Sequence, residues 1–278
     1  MRATTSPFAL HRKGLTLELL PTPAAFAILD ILGYGALMGR EPSEVVALVQ
    51  ELLQSSKRNW PIQRDIDRFA HFCGGVPAPT IEYLQFSDTL LIWLHADQAA
   101  PKLSQTRGQL VRTISYAVSL TLASFISTGI PLRGAVGFGP IFVSSDPLFF
   151  TGRELHGTMK LERQQVWAGA ALHDSAVSAL DFEQVEPFFL DYSIPMSNDT
   201  APAPNFAIDW VTPLLGFPEL TPPWDRMFCP STDVRVRRKG DETRKFFETL
   251  AGLHRPFPLQ FAKETIVSMR ARLARLLS

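Results

Sequence analysis

Two acidic residues stand inside otherwise apolar stretches. Asp30 interrupts the run Ala24 to Leu32, which ends at Gly33, and Asp88 sits within YLQFSDTLLIW. Taken singly, each has an ordinary explanation: a strand-end Asp bonded to backbone donors, and a turn residue of a type that turns favour. Taken together, on neighbouring strands, they would converge on one point. Hard divalent cations take oxygen ligands, and Mg²⁺ typically uses one or two carboxylates plus substrate phosphates. Without such a cation the two charges would repel.

Three further features carry charge or open backbone. Gly33-Tyr34-Gly35 follows Asp30 directly, and a glycine-bounded turn into a helix can present backbone N–H groups to phosphate. Any strand-to-helix turn uses glycine, and no GxxxxGK[ST] is present. Arg133, in IPLRGAVGFG, is a guanidinium in an apolar strand and wants a carboxylate or phosphate partner. An ion pair with one of the two Asp residues would serve it equally well. In GRELHGTMKLER, His156 and Lys160 are four apart and share a helical face. They read either as a solvated basic patch beside Glu154 and Glu162 or as two donors aimed at a phosphoryl group.

The elements that must position these residues follow from the pattern. Ala24 to Leu32 reads as a buried strand. A helix begins near Pro42, with Val45, Val46, Leu48, Val49, Leu52 and Leu53 on one face. A second short helix is expected around Ile62 to Phe72. Thr80 to Phe86 and Thr89 to His95, around Ser87-Asp88, read as a hairpin. Gln105 to Thr128 is a long helix stopped by Gly129. Ile130 to Val143 is a strand or strand pair, and Gly152 to Gln165 a helix. The order is that of a ferredoxin-like βαββαβ domain, an α+β fold. Beyond Asp181 the prolines dominate. Added strands are expected at Phe188 to Ile194 and Phe206 to Trp210, and helices at Thr243 to Leu253 and Glu264 to Leu277. Residues 1–181 are expected to form the core, and 182–278 a C-terminal extension packed on the same domain.

Composition narrows the partners. Twenty-seven Lys and Arg balance twenty-seven Asp and Glu over 278 residues, so no global field exists to hold nucleic acid or an anionic membrane. At 46% hydrophobic and 19% charged residues the chain is not a disordered polyampholyte. Cys73 and Cys229 form no framework, which suits a reducing, cytoplasmic setting. The longest apolar run, Phe125 to Val143, is broken by polar residues, so no membrane span is expected, and the N-terminus lacks a signal-peptide core. The basic run Arg235, Arg237, Arg238 and Lys239 reads as a solvated face more than as a phosphate contact. Trp167, beside Gly169, reads as core or dimer packing.

In this order the motifs resemble the catalytic domain of class III nucleotidyl cyclases. The family's first strand, F-x-D-I-x-G-F, is matched by Leu29-Asp30-Ile31-Leu32-Gly33-Tyr34, and its hairpin G-D by Ser87-Asp88. Its R-x-G-I-x-x-G strand is matched by Arg133 to Gly139, and its G-x-x-V-N-x-A-x-R-L helix by Gly152 to Leu161. The resemblance implies two divalent cations, Mn²⁺ or Mg²⁺, on Asp30, Asp88 and the Ile31 carbonyl. It implies a triphosphate held by the N–H groups at Gly33 and Tyr34 and by Arg133. It also implies a head-to-tail homodimer with shared active sites, completed by residues at the positions of His156 and Lys160. The family has Asn and Arg at those two positions. Where adenylate cyclases carry a base-reading Lys and Asp, this chain has Leu84 and Phe149, and guanylate cyclases' Glu and Cys do not match either.

The phrases LDILGYGAL, QFSDTLLIW, GIPLRGAVGFGPIFV, LERQQVWAGAAL, NFAIDWV and RRKGDETRKFF are similar to the pyrimidine cyclases of bacterial Pycsar antiphage systems. That similarity implies UTP as the favoured nucleoside triphosphate, cyclic UMP as an infection signal, and a separate cyclic-nucleotide-activated effector. Tyr83, Leu84 and Phe149 become the expected walls of the base pocket. The alternatives are a cytidylate or purine nucleotide cyclase, or a catalytically degenerate nucleotide sensor of the same fold.

Overall fold

The computed structural model describes residues 22–35, 42–43, 81–95, 103–145, 148–180, 189–197, 204–215, 220–228 and 233–253. The helical face expected beyond Pro42, the helices expected at 62–72 and 264–277, and both cysteines lie outside the described residues, apart from positions 42 and 43.

Strand β1 (Thr22–Ile31) is an interior strand of the sheet. It pairs antiparallel with β3 (Thr89–His95) on one side and β4 (Leu132–Ser145) on the other, while β2 (Glu82–Phe86) closes the hairpin with β3. The resulting order β2-β3-β1-β4, all antiparallel, is the strand order of the expected βαββαβ arrangement. A strand with neighbours on both edges and helices on both faces must be apolar throughout, which is why β1 lacks polar alternation. Ala25, Ala27 and Leu29 belong to the larger core cluster. Ala24, Phe26 and Ile28 belong to a second cluster on the opposite face.

The larger cluster is built around helix α1 (Leu103–Thr128), which the sequence marks by its apolar periodicity. Gly129 ends it at φ +92°, a left-handed conformation that glycine adopts without side-chain strain. The Gly129 N–H donates to Ile126 O at 3.0 Å and the Ile130 N–H to Phe125 O at 3.0 Å, a Schellman cap. By length and composition Arg107–Thr128 could cross a membrane, which the reading of the longest apolar run overlooked. However, 94% of its apolar window is buried within the protein, as in a core helix.

After β4 come β5 (Leu148–Thr151), which pairs back on β4, and helix α2 (Arg153–Gln164). Leu155 and Met159 of α2 cover Phe26 and Ile28. Close approach here needs Gly137 on β4, because a Cβ at that position would stand 2.6 Å from the Phe26 ring. The sequence pattern signalled neither β5 nor β6 (Gly169–Leu172), which is parallel to β4. Each has only four residues, too few to establish a period.

The sheet then continues through β8 (Phe206–Ile208) and β7 (Phe189–Asp191), both shorter than expected. Helix α3 (Asp174–Val177) follows β6, a 3₁₀ turn spans Thr212–Leu214, and α4 (Trp224–Met227) precedes α5 (Val234–Ala251). The buried Asp209 carboxylate accepts from the N–H groups of Val211 at 3.0 Å and Thr212 at 2.9 Å and so caps the 3₁₀ turn. Helix α5 starts nine residues before the expected Thr243. Its first turns are strongly charged, and Asp233 supplies the start by accepting from the Arg235 N–H at 2.8 Å.

Candidate functional site

Residues of even number in the second half of β1 face α2, so Asp30 points to the same side of the sheet as Phe26 and Ile28. Register sets Asp30 opposite Thr89 on β3 and opposite Arg133 on β4. The Ile31 N–H donates to Asp88 O at 3.0 Å, so the hairpin tip lies against the end of β1. Ser87 adopts φ +53° in the two-residue turn, the mirror-image conformation that suits the twist of paired strands. The structure therefore brings Asp30, Ile31, Asp88 and Arg133 to one end of β1.

Arg133 is closely held. Its Nε donates to Glu162 Oε1 at 2.6 Å, one terminal nitrogen to the Gln165 carbonyl at 3.2 Å, and the other to Asp30 Oδ2 at 3.4 Å. The ion-pair reading of Arg133 thus holds for Asp30, but its nearer carboxylate is Glu162. Fully buried Gln165 is itself fixed: its Nε2 donates to Gly134 O at 2.7 Å, and its Oε1 accepts from Trp167 Nε1 at 2.8 Å.

Burial holds the Asp30 carboxyl above its ordinary range, Arg133 opposes that shift, and nearby Asp88 adds to it; Lys239 and Arg163 also oppose it. Glu162 is likewise raised by burial, against the pull of Arg133. The Asp30–Asp88 pair thus carries a desolvation cost at Asp30 that Arg133, Lys239 and Arg163 offset only in part. Its donors are all hard oxygens, which fits Mg²⁺ or Mn²⁺. Among the described residues no group of three or more His, Cys, Asp and Glu side chains is gathered for a metal, so any ion here would rest on two carboxylates and a carbonyl.

The other expected residues are distributed as follows. Gly33 leaves β1 at φ +79°, exposed, and Tyr34 is half-buried against the larger core cluster. His156 and Lys160 are exposed on α2 and are not among the charges acting on Asp30. Tyr83 and Leu84 are adjacent on β2 and so face opposite sides: Tyr83 packs into the larger cluster, its hydroxyl raised well above the ordinary range by burial, and Leu84 into the second. One pocket cannot be walled by both from the same face of the sheet. Leu84 shares the face of Asp30, whereas Tyr83 does not. The Phe149 side chain lies outside the described residues.

Sequence reasoning missed Glu162 and Gln165 as partners of Arg133, and it weighed the run holding Lys239 chiefly as a solvated face. Glu162 had a legible signal, because it falls on the buried stripe of α2 with Leu155, Thr158 and Leu161, where a carboxylate needs a cation. Gln165 had none, since its hold on Gly134 and on Arg133 joins the end of α2 to β4.

No family model and no curated protein matches the chain. Among solved structures, the guanylate cyclase domain of RhGC from Catenaria anguillulae in complex with GTP is similar at 14% identity, covering 67% of this chain and 96% of that one, with a TM-score of 0.41. A bacterial light-regulated adenylyl cyclase is similar at 17% identity, with 64% and 88% covered and a TM-score of 0.38. A class III adenylyl cyclase-like ATP-binding protein from Pseudomonas aeruginosa is similar at 15% identity, with 58% and 35% covered and a TM-score of 0.37. Likeness at this level assigns no activity to the chain.

Proposed function

We propose that the chain is a class III nucleotidyl cyclase that converts UTP to 3′,5′-cyclic UMP and pyrophosphate, as the second messenger of a cytoplasmic antiphage system of the Pycsar type. The observation that carries the reading is the meeting of Asp30 and Asp88 at one end of β1, directly beside Arg133, with the motif order described above.

Asp30, Asp88 and the Ile31 carbonyl would hold two divalent cations. When bound, such ions lower the pKa of the ribose 3′-OH and neutralise phosphate charge. In the reaction the 3′ oxygen forms a bond to the α-phosphorus, the bond from that phosphorus to the bridging oxygen breaks, pyrophosphate leaves, and the hydroxyl proton passes to solvent. The chain's own part is positioning and electrostatics, the main terms in phosphoryl transfer. Arg133, oriented by Glu162 and Gln165, would present guanidinium charge to the phosphates, and the turn at Gly33 and Tyr34 would present N–H groups. Lys160 and His156, exposed on α2, would reach the site of a second copy in a head-to-tail dimer. Leu84 and Phe149 stand where purine cyclases carry polar base readers. A site without those partners discriminates against a purine edge, since its polar groups would go unpaired. The product would act on a separate effector.

The test is incubation with each of the four nucleoside triphosphates and Mn²⁺, with products separated by chromatography. Cyclic UMP in excess is expected, and it should vanish in the double variant Asp30→Ala, Asp88→Ala. Preferential cyclic AMP, GMP or CMP would replace the substrate assignment, and no cyclic product at all would overturn the reading. The close hold of Glu162 and Asp30 on Arg133 favours one second reading, a nucleotide sensor without turnover. Metal-dependent nucleotide binding with no product would identify it.

A further inference from the structure

The basic run before Gly240 has no part in the reading above, yet α5 brings one of its members within the electrostatic reach of Arg133, Asp30 and Glu162. Two anchors set the helix there. Arg238 donates to the Met196 carbonyl at 3.3 Å; Met196 bridges to Gln165, whose carbonyl accepts from Arg133. One turn later the Thr243 hydroxyl oxygen accepts from the Ala168 N–H at 2.8 Å and donates to the Lys239 carbonyl at 2.6 Å. The next residue, Gly169, stands opposite Arg133 in the β4–β6 register. Phe246 then locks the helix edge-on against Trp167, with ring centroids 4.7 Å apart.

These contacts hold Lys239 in the field of Arg133, Asp30, Glu162 and Asp233. The residue is half-buried, and among the described residues its ammonium forms no ion pair. Burial draws its pKa below the ordinary range and Arg133 adds to that shift, while Asp30 and Glu162 oppose it. Two neighbouring cations in a partly desolvated site repel each other, and here the carboxylates compensate them. Divalent cations on Asp30 and Asp88 would draw off the Asp30 share of that compensation, Glu162 staying with Arg133 at 2.6 Å, and leave Lys239 with less negative charge around it. An anion would restore the balance.

The geometry points to Lys239 as a second basic ligand for the substrate's polyphosphate, supplied by the C-terminal extension of the same chain that holds Asp30. The inference rests on the cyclase reading of the site. Lysine suits the role as a compact charge on a flexible stem beside the planar fork of Arg133.

The test measures binding of inorganic tripolyphosphate, with Mn²⁺ present, to the full chain by calorimetry. Lys239→Met keeps most of the stem and removes the charge; Lys239→Arg keeps the charge. Lys239→Met is expected to weaken binding by about tenfold or more. Its affinity should also depend less steeply on salt, and Lys239→Arg should stay near the wild type. An unchanged unfolding midpoint in Lys239→Met confirms that α5 remains docked. The inference is overturned if Lys239→Met binds as tightly as the wild type, if Lys239→Arg loses as much as Lys239→Met, or if the wild type does not bind tripolyphosphate. Product formation from UTP is read separately. A wild type that makes no cyclic nucleotide but shows the Lys239→Met loss would remove the cyclase reading and leave the anion site standing.

Discussion

At the scale of single residues, the site trades stability for charge. Asp30 is raised above its ordinary value of 3.8, first by burial. A carboxyl raised in the folded state costs stability above its folded pKa, and that cost disappears as pH falls below the unfolded value. Asp30→Asn should therefore stabilise the protein at pH 7 while abolishing cyclisation. Urea unfolding checks this, and the gain should shrink toward pH 4. A variant less stable than the wild type at pH 7 would show that Arg133 outweighs burial. His173 has the opposite sign. Its Nδ1 accepts from the Ser175 N–H at 3.2 Å, capping α3, and burial lowers its pKa from 6.5. Its contribution is complete above about pH 6.5 and declines as pH falls below that value, because the unfolded state then binds the extra proton. His173→Ala should cost about 1 kcal/mol at pH 7.5. It should also flatten the loss of stability between pH 6.5 and 5, as followed by thermal unfolding across that range.

At the scale of elements, α5 connects the extension to the site. Phe246, fully buried, meets Trp167 at 4.7 Å, Tyr192 at 4.8 Å and Trp210 at 6.0 Å. Phe246→Ala removes the ring that joins them and should cost about 3 kcal/mol or more in denaturant unfolding. Because Lys239 rides on the same helix, the variant should also bind tripolyphosphate more weakly under conditions where it remains folded. Undiminished binding would mean that α5 does not position the anion ligand. Helix α2 works on the other side of the site. Its buried stripe brings Glu162 to Arg133, and its exposed face carries His156 and Lys160 outward.

At the scale of the whole molecule, one sheet runs from the β2–β3 hairpin to β7, so β8 and β7 continue the same layer that carries Asp30 and Arg133. The outward placement of His156 and Lys160 leads to a complementation test of the proposed dimer. Asp30→Ala, Asp88→Ala protomers mixed with His156→Ala, Lys160→Ala protomers should regain UTP cyclisation that neither shows alone. In a head-to-tail pair one of the two shared sites would then be intact. Failure to complement, with both variants folded and dimeric, would place all catalytic groups within one chain.

The primary sequence alone determined the order of the core strands, the hairpin at Ser87-Asp88, the long helix ending at Gly129, and the acidic pair at the end of β1. Each is written in local periodicity or turn chemistry, which a chain cannot hide. It did not determine which carboxylate Arg133 would choose, since Asp30 and Glu162 are both absent from its neighbourhood in sequence. It placed Tyr83 and Leu84 on one pocket, where the two-residue pleat separates them. It read the basic run chiefly as a solvated face, and Arg235, Arg237 and Arg238 are exposed while Lys239 is half-buried. Those outcomes depend on strand register, on the docking of α2 and α5, and on burial shared among segments more than a hundred residues apart. Only tertiary structure sets the desolvation and the distances that bring Lys239 under the influence of Asp30, Arg133 and Glu162.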